Sequence, residues 1–247
     1  MTLPSGLSLA CLLAIAGTLV GSYLATIVMR WPEGRSATTG RSACDGCGSP
    51  LRWFELVPLL SAALSGLRCR RCGDRIDPVH SVTEALAAII PSAAALLMPP
   101  ATALAFAAMT WLLIPLFLLD WRHLWLPDRL TALLALVGFV GGHWLGLADT
   151  TDRLLGGFAG FLLLWTLMRL YRTFRGHDGL GAGDPKLFGA IGLWLGWAAL
   201  PFVLLLAAVA GMAHFAMLAA TGRAHRGTAL PFGSCLAFAA IVVPLLA

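Results

Sequence analysis

The chain has 247 residues, of which 59% are hydrophobic and 12% charged, with 17 Lys and Arg, 12 Asp and Glu and a formal charge of +5. Ordinary soluble domains carry about 45–50% apolar and about 25% charged residues, so this composition excludes a soluble enzyme. A basic balance is one footprint of nucleic-acid binding, but the placement of the cations along the chain accounts for it, and no nucleic-acid partner is expected.

Charge-free runs cover residues 2–29, 85–119, 130–148, 187–222 and 227–247, with a shorter one at 154–168. A spanning helix needs about 20 apolar residues to cross about 30 Å of hydrocarbon. The runs therefore predict an all-α, polytopic membrane protein embedded in the lipid bilayer. The first run is followed by Arg30 and preceded by no basic residue, the pattern of an anchor with its N-terminus outside rather than of a cleaved signal peptide. Runs 85–119 and 187–222 are too long for one helix each and read as hairpins. Pro99 and Pro100 break the first, and Pro201, just after Trp194 and Trp197 at an expected membrane interface, breaks the second. Eight spans result, at about 6–29, 81–98, 101–119, 129–147, 153–171, 186–199, 201–220 and 228–246. The corresponding organisation is a first transmembrane helix (1–29), a cytoplasmic four-cysteine loop domain (30–80) and a seven-helix membrane domain (81–247).

With these spans, all but one of the 17 lysines and arginines fall on the face opposite the termini, Arg153 being the exception. The positive-inside rule then places residues 30–80, 120–128, 172–185 and 221–227 in the cytoplasm and both termini outside.

The first loop holds Cys44-Asp45-Gly46-Cys47 and Cys69-Arg70-Arg71-Cys72, two Cys-x-x-Cys pairs at the spacing of a tetrahedral four-cysteine zinc site. A glycine follows each pair, Gly48 and Gly73, where φ > 0 brings the backbone close to the thiolates. The cytoplasm disfavours disulfides, so a structural zinc on Cys44, Cys47, Cys69 and Cys72 is the expectation, with a redox pair or free thiols as the alternative. Metal ligation would supply folding energy that so short a loop lacks. Cys11 and Cys235 lie inside spans and read as small packing residues.

Two acids stand at membrane edges on one face. Asp120 ends the third span after Phe117-Leu118-Leu119, and Asp184 lies in Gly181-Ala182-Gly183-Asp184-Pro185-Lys186-Leu187 at the mouth of the sixth. Asp184 before Pro185 also fits a helix N-terminus. Asp120 does not fit a cap, because a negative charge at a helix C-terminus opposes the dipole. Two neighbouring carboxyl groups can share a proton, one taking a proton from water while the other donates to a carbonyl, which is aspartic protease chemistry. Asp128, after Leu126-Pro127, reads as a cap of the fourth span, and Asp178 as a solvated loop residue. The 6 histidines show no ligand spacing, His123 alone lying near Asp120, and no HExxH, GxSxG or Ser-Lys pattern occurs.

Taken together these motifs resemble the prepilin peptidases, the type IV leader peptidases of bacterial pilus and type II secretion systems. Gly21-Ser22-Tyr23-Leu24 with Arg30 is similar to the family's GSFLNVxxxR, with Ala25 in place of Asn. Arg41 to Cys47, Trp53, Glu55, Pro58-Leu59-Leu60-Ser61, the second cysteine pair and Glu84 resemble its first loop. Asp120 with Leu126-Pro127-Asp128 resembles its first aspartate motif, Gly181 to Leu187 its GxGDxKL, and Pro231-Phe232-Gly233 its last-helix PFG, Ser234 replacing a frequent Pro.

The resemblance implies that Asp120 and Asp184 are the catalytic pair of a GxGD-type intramembrane aspartyl protease of the inner membrane. It implies prepilin or pseudopilin substrates, cut on the cytoplasmic side after a Gly that precedes a hydrophobic helix. It also implies methylation of the new N-terminal amine from S-adenosylmethionine, an activity associated with the cysteine loop. The family's Gly-(Lys/Arg)-Cys reads Leu67-Arg68-Cys69 here, with Gly66 one position early, and a peptidase-only member is the alternative. From other classes, a proton-coupled transporter would use the two acids as a relay, but neither lies near the midplane and there is no internal repeat. A scaffold recruiting partners through its zinc loop would leave Gly-Ala-Gly-Asp without a role.

Overall fold

The computed structural model describes residues 5–44, 46–176, 179–223 and 229–246. These residues fold as α1 (Ser5–Arg30), α2 (Leu60–Leu64), α3 (Pro78–Leu97), α4 (Pro100–His123), α5 (Asp128–Gly141), α6 (Thr150–Arg175), α7 (Asp184–Leu195), α8 (Leu200–Ala220) and α9 (Phe232–Leu246). The protein is all-α. Its β-type pairing among the described residues consists of two isolated bridges, Ala43 with Pro50 and Arg68 with Arg75.

Five helices, α1, α3, α4, α6 and α8, are long and apolar enough to cross a membrane, making this a multi-pass membrane protein. α5, α7 and α9 are shorter, at 14, 12 and 15 residues. The chain forms two compact units, Met1–Pro100 and Ala101–Ala247.

In the first unit α1 lies along α3, and the reason is residue size. A Cβ on Gly21 would stand 2.6 Å from the Glu84 Cα, and one on Gly17 would overlap the backbone of Ala87 and Ala88. Lipid tails are as apolar as the helices, so association depends on close packing, which small residues four apart permit. The Asp77 Oδ1 caps α3 by accepting the Val79 amide at 2.8 Å, with Pro78 in the first turn. Glu84, buried in α3, ties the preceding loop to the helix through Oε2, which accepts the Leu59 amide at 2.8 Å.

In the second unit, α6 and α7 cross through facing glycines. A Cβ on Gly189 would meet the Gly157 carbonyl oxygen at 2.9 Å, and one on Gly160 the Phe188 carbonyl oxygen at 3.2 Å. The run 187–222 breaks at Gly196, whose φ of 81° and ψ of 172° end α7, while Pro201 sits in the first turn of α8. A proline fits there because the amide it lacks has no partner within the helix. Trp197 is exposed, but Trp194 is 1% exposed and its indole N–H donates to the Leu134 carbonyl at 2.9 Å, so packing between α5 and α7 fixes it. The sixth predicted span is thus shorter than 186–199, and the fourth ends as a helix at Gly141, followed by a 3-10 turn over Gly142–Leu145.

Arg153 of α6 is 3% exposed. Its Nε donates to the Leu193 carbonyl at 2.9 Å, and its Nη2 to the Gly138 and Phe139 carbonyls at 2.5 and 2.8 Å. These carbonyls belong to the last turns of α7 and α5, where helix ends run out of internal donors; the Gly138 carbonyl also accepts the Gly142 amide. Of the two isolated cysteines, Cys235 is buried as expected and Cys11 is exposed.

Candidate functional site

Asp120 occupies the last turn of α4 and is 6% exposed; Asp184 is the first residue of α7 and is 4% exposed. The Asp120 Oδ2 accepts the Ser234 amide at 2.7 Å and lies 3.1 Å from the Ser234 hydroxyl, which also donates to the Phe117 carbonyl at 2.9 Å. Ser234 is in the first turn of α9, so its amide is one of the donors that a helix start leaves unused. The unfavourable placement of a negative charge at the end of α4 is answered by the positive end of a second helix. The Asp184 Oδ2 accepts the Gly181 amide at 3.0 Å, and the Asp184 amide donates back to the Gly181 carbonyl at 3.1 Å.

Leu126 closes the space between these segments. A Cβ on Gly183 would lie 2.7 Å from the Leu126 Cβ, and one on Gly233 would lie 2.7 Å from the Leu126 Cδ1 and 3.1 Å from the Asp120 Oδ2. The three short motifs around Asp120, Asp184 and Gly233 thus meet at one place, and the Asp120 carboxyl group is close enough to act electrostatically on Asp184. Two buried carboxyl groups with different donors can hold one proton between them, as acid and base chemistry on a peptide bond requires.

Asp128 is the first residue of α5 rather than its cap; Pro127 precedes the helix without a side-chain cap. The Asp128 Oδ1 pairs with the Lys186 Nζ at 2.6 Å, joining the starts of α5 and α7. His123 is exposed at the end of α4. Asp178, His177 and His225 lie outside the described residues. In the sequence Ser234 stands out only as the residue that replaces a frequent Pro after Pro231-Phe232-Gly233; its hydrogen bonds depend on the approach of α9 to α4.

The cysteine loop has its own geometry. The Sγ atoms of Cys44, Cys47, Cys69 and Cys72 all lie within 4.8 Å of one another, and those of Cys44 and Cys72 are 3.9 Å apart. Tetrahedral ligation at about 2.3 Å per Zn–S bond sets sulfurs about 3.8 Å apart, so the four could hold a metal ion. Each pair sits on a tight turn. The Gly48 amide donates to the Cys44 carbonyl at 2.8 Å and the Gly73 amide to the Cys69 carbonyl at 2.9 Å. Both glycines have positive φ, 68° and 75°, conformations strained for any residue with a Cβ. The Ser49 hydroxyl, 3.1 Å from the Cys47 Sγ, and the Ser49 amide pull the Cys47 thiol down to about 6. The Cys72 and Arg71 amides lower Cys69, whereas backbone hydrogen bonds to Cys44 and Cys72 are outweighed by burial and the neighbouring thiols, which raise Cys44 and push Cys72 up to about 12. Thiolates are the ligating form.

Comparison with known proteins agrees with this arrangement. Residues 107–216 match the type IV leader peptidase family and residues 15–98 the bacterial peptidase A24 N-terminal domain. A Burkholderia pseudomallei protein named prepilin leader peptidase/N-methyltransferase is 37% identical over 262 aligned positions, covering 95% of this chain and 84% of its own. Proteins of the same name from Aeromonas hydrophila (36% identical, 81% of this chain and 69% of theirs) and Pseudomonas aeruginosa (32%, 91% and 86%) are also similar. No solved structure matches. The chain belongs to the type IV leader peptidase family.

Proposed function

We propose that the protein is a bifunctional prepilin peptidase. It removes the leader from type IV prepilins or type II secretion pseudopilins at the cytoplasmic side of the inner membrane, then methylates the new N-terminal amine. The observation that carries this reading is the convergence of two buried carboxyl groups, Asp120 from α4 and Asp184 from α7, at one point walled by Gly183, Gly233 and Leu126.

In this reading Asp120 and Asp184 are catalytic. One carboxylate takes a proton from water as its oxygen attacks the scissile carbonyl; the protonated partner donates to the carbonyl oxygen. Collapse of the tetrahedral intermediate then delivers a proton to the leaving amine and restores the shared proton. Gly181 and Ser234 amides hold the two carboxyl groups, and the absence of side chains at Gly183 and Gly233 lets Leu126 pack against both segments and Asp120 approach the start of α9.

Cys44, Cys47, Cys69 and Cys72 would hold a structural zinc ion, which supplies folding energy to the loop. S-adenosylmethionine, when bound, supplies an electrophilic methyl group to the freed amine. The eight-span arrangement with periplasmic termini and cytoplasmic aspartates belongs to the same proposal, supported by the distribution of cations along the chain.

Co-expression with a prepilin, followed by mass measurement of the pilin N-terminus, tests both activities. Loss of the leader and gain of one methyl group are expected. A pilin that keeps its leader overturns the peptidase reading, and a cleaved but unmethylated pilin leaves a peptidase alone. A proton-coupled carrier would leave the pilin unchanged.

A further inference from the structure

Residues 53–67 lie outside every predicted span, yet their large apolar side chains point away from the protein. Trp53 is 80% exposed, Leu60 56% and Leu64 70%, with Val57 and Leu67 also exposed. The opposite face is small or polar. Ser61 and Ser65, four residues apart, line the interior cavity of the first unit together with Pro58 and Ala62, while Leu60 and Leu64, also four apart, share the outer face of α2. A helix in water turns its apolar stripe inward and its polar one outward. This segment is reversed, as a surface bathed in hydrocarbon would be. One hydrogen bond sets its depth. The Leu59 amide donates to the Glu84 Oε2 at 2.8 Å, and Glu84 follows the start of α3 at Pro78 by about 9 Å along the axis, at 1.5 Å per residue. α3 has 20 residues, about the number that one crossing consumes, so its first turn lies at the edge of the hydrocarbon. Leu60, next to Leu59, is thereby held level with the second turn of α3 rather than out in the solvent.

We propose that residues 53–67 are seated in the bilayer itself, in the leaflet where α1 ends and α3 begins, with Trp53, Leu60 and Leu64 among the acyl chains. An interfacial segment buries its apolar face about 5–10 Å into the boundary between headgroups and chains, which matches the depth that the Glu84 bond imposes. The rim has the charge that such a seat needs. Arg52 and Arg70 hold their guanidinium groups 5.9 and 5.6 Å from the centre of the Phe54 ring, and Trp53 packs edge-on against the same ring at 5.7 Å. Two cations gathered on one ring repel each other, and lipid phosphates at the headgroup level offset that repulsion. Tryptophan is itself a residue of the membrane–water interface. A partner helix fits the face less well, because it lays its apolar stripe into a groove, and Trp53, Leu60 and Leu64 stand out as a ridge instead. Cys47 and Cys69 bracket the segment in sequence, so the seat holds the four-cysteine cluster at the membrane surface.

The experiment uses the full-length protein in nanodiscs, with a fluorescent amino acid placed by stop-codon suppression at Leu60, at Leu64 or, as the water-exposed reference, at Thr39. Lipids with brominated acyl chains quench from within the bilayer, and iodide quenches from the water. Brominated lipid should quench the probes at Leu60 and Leu64 about threefold more than the one at Thr39, with iodide in the reverse order. Iodide quenching as strong at Leu60 and Leu64 as at Thr39, with no effect of brominated lipid, overturns the seat. So does iodide quenching at Leu60 and Leu64 that disappears only when a prepilin is added, since the face would then belong to a protein partner. Both leucines are exposed, so the probes displace little packing, and circular dichroism with thermal unfolding verifies the fold. If a labelled protein does not fold, a lipid with a diazirine on its acyl chain decides on the wild type. Photolabel within residues 53–67 supports the seat, and photolabel confined to the rest of the chain overturns it.

Discussion

The Ser234 amide and hydroxyl both address a single oxygen, Oδ2 of Asp120, at 2.7 and 3.1 Å. The hydroxyl has one proton and two acceptors, that oxygen and the Phe117 carbonyl at 2.9 Å. When Asp120 is ionised, the hydroxyl can turn to it; when Asp120 is protonated, the hydroxyl can receive from it and donate to Phe117. Ser234→Ala keeps the amide bond and removes this adaptable one, a loss of about 1 kcal/mol, or roughly fivefold in leader cleavage. The measurement is the cleavage rate across pH: a purely structural role predicts a uniform drop, whereas a role in holding the Asp120 charge predicts a displaced pH optimum.

Asp120→Asn and Asp184→Asn should each abolish leader removal, by well over a hundredfold, because neither asparagine can exchange a proton with water or the scissile carbonyl. Helical content and membrane insertion should be unchanged. Normal processing by either variant, read from the pilin mass, would falsify the assignment of the pair.

Gly233→Ala tests the space beside Asp120. The added Cβ would lie 2.7 Å from the Leu126 Cδ1 and 3.1 Å from the Asp120 Cγ, so either the leucine or the carboxyl group must move. Cleavage should fall further than in Ser234→Ala, and Gly233→Ala combined with Leu126→Ala should recover part of the loss. No recovery would show that the carboxyl group, not the leucine, had been displaced.

The Lys186 to Asp128 pair is short, 2.6 Å, but its side chains are 46% and 72% exposed. Exposed pairs contribute about 0–1 kcal/mol. Lys186→Met should therefore shift thermal unfolding by little, and high salt should have the same small effect on the wild type.

Arg153 presents the opposite case. Arg153→Leu would remove the donor that the Leu193 and Phe139 carbonyls share and one of the two donors of the Gly138 carbonyl, which keeps the Gly142 amide, at up to about 1–3 kcal/mol for a group left unpaired. Thermal unfolding in detergent should fall by several degrees or more. Arg153→Lys should not restore it, because an ammonium cannot reproduce a planar fork reaching two helix ends. Recovery by lysine would mean that charge alone matters there.

Much of this molecule was legible in its sequence, where chemistry is carried by rare residues at short spacing. The paired cysteines announced four sulfurs that do meet, with positive φ at Gly48 and Gly73. Asp120 and Asp184 stood out because few acids interrupt apolar runs, and Pro99 with Pro100 marked the join of α3 and α4. What escaped the sequence depends on which helix lies against which. Pro201 drew the break that Gly196 makes, because a proline is conspicuous whereas a terminating glycine matters only through its φ. Gly17, Gly21, Gly157 and Gly189 look ordinary until a neighbouring backbone occupies the place of their Cβ atoms. Trp194 reads as an interfacial aromatic until its N–H is found on the Leu134 carbonyl.

Arg153 also bears on orientation. Counting cations works because a charge left in a loop resists transfer across the membrane. A guanidinium already enclosed by three carbonyls at the ends of α5 and α7 is a fastener in the folded molecule and casts no vote on topology. Under the proposed eight-span arrangement, the single cation on the terminal side thus has a separate reason for its place.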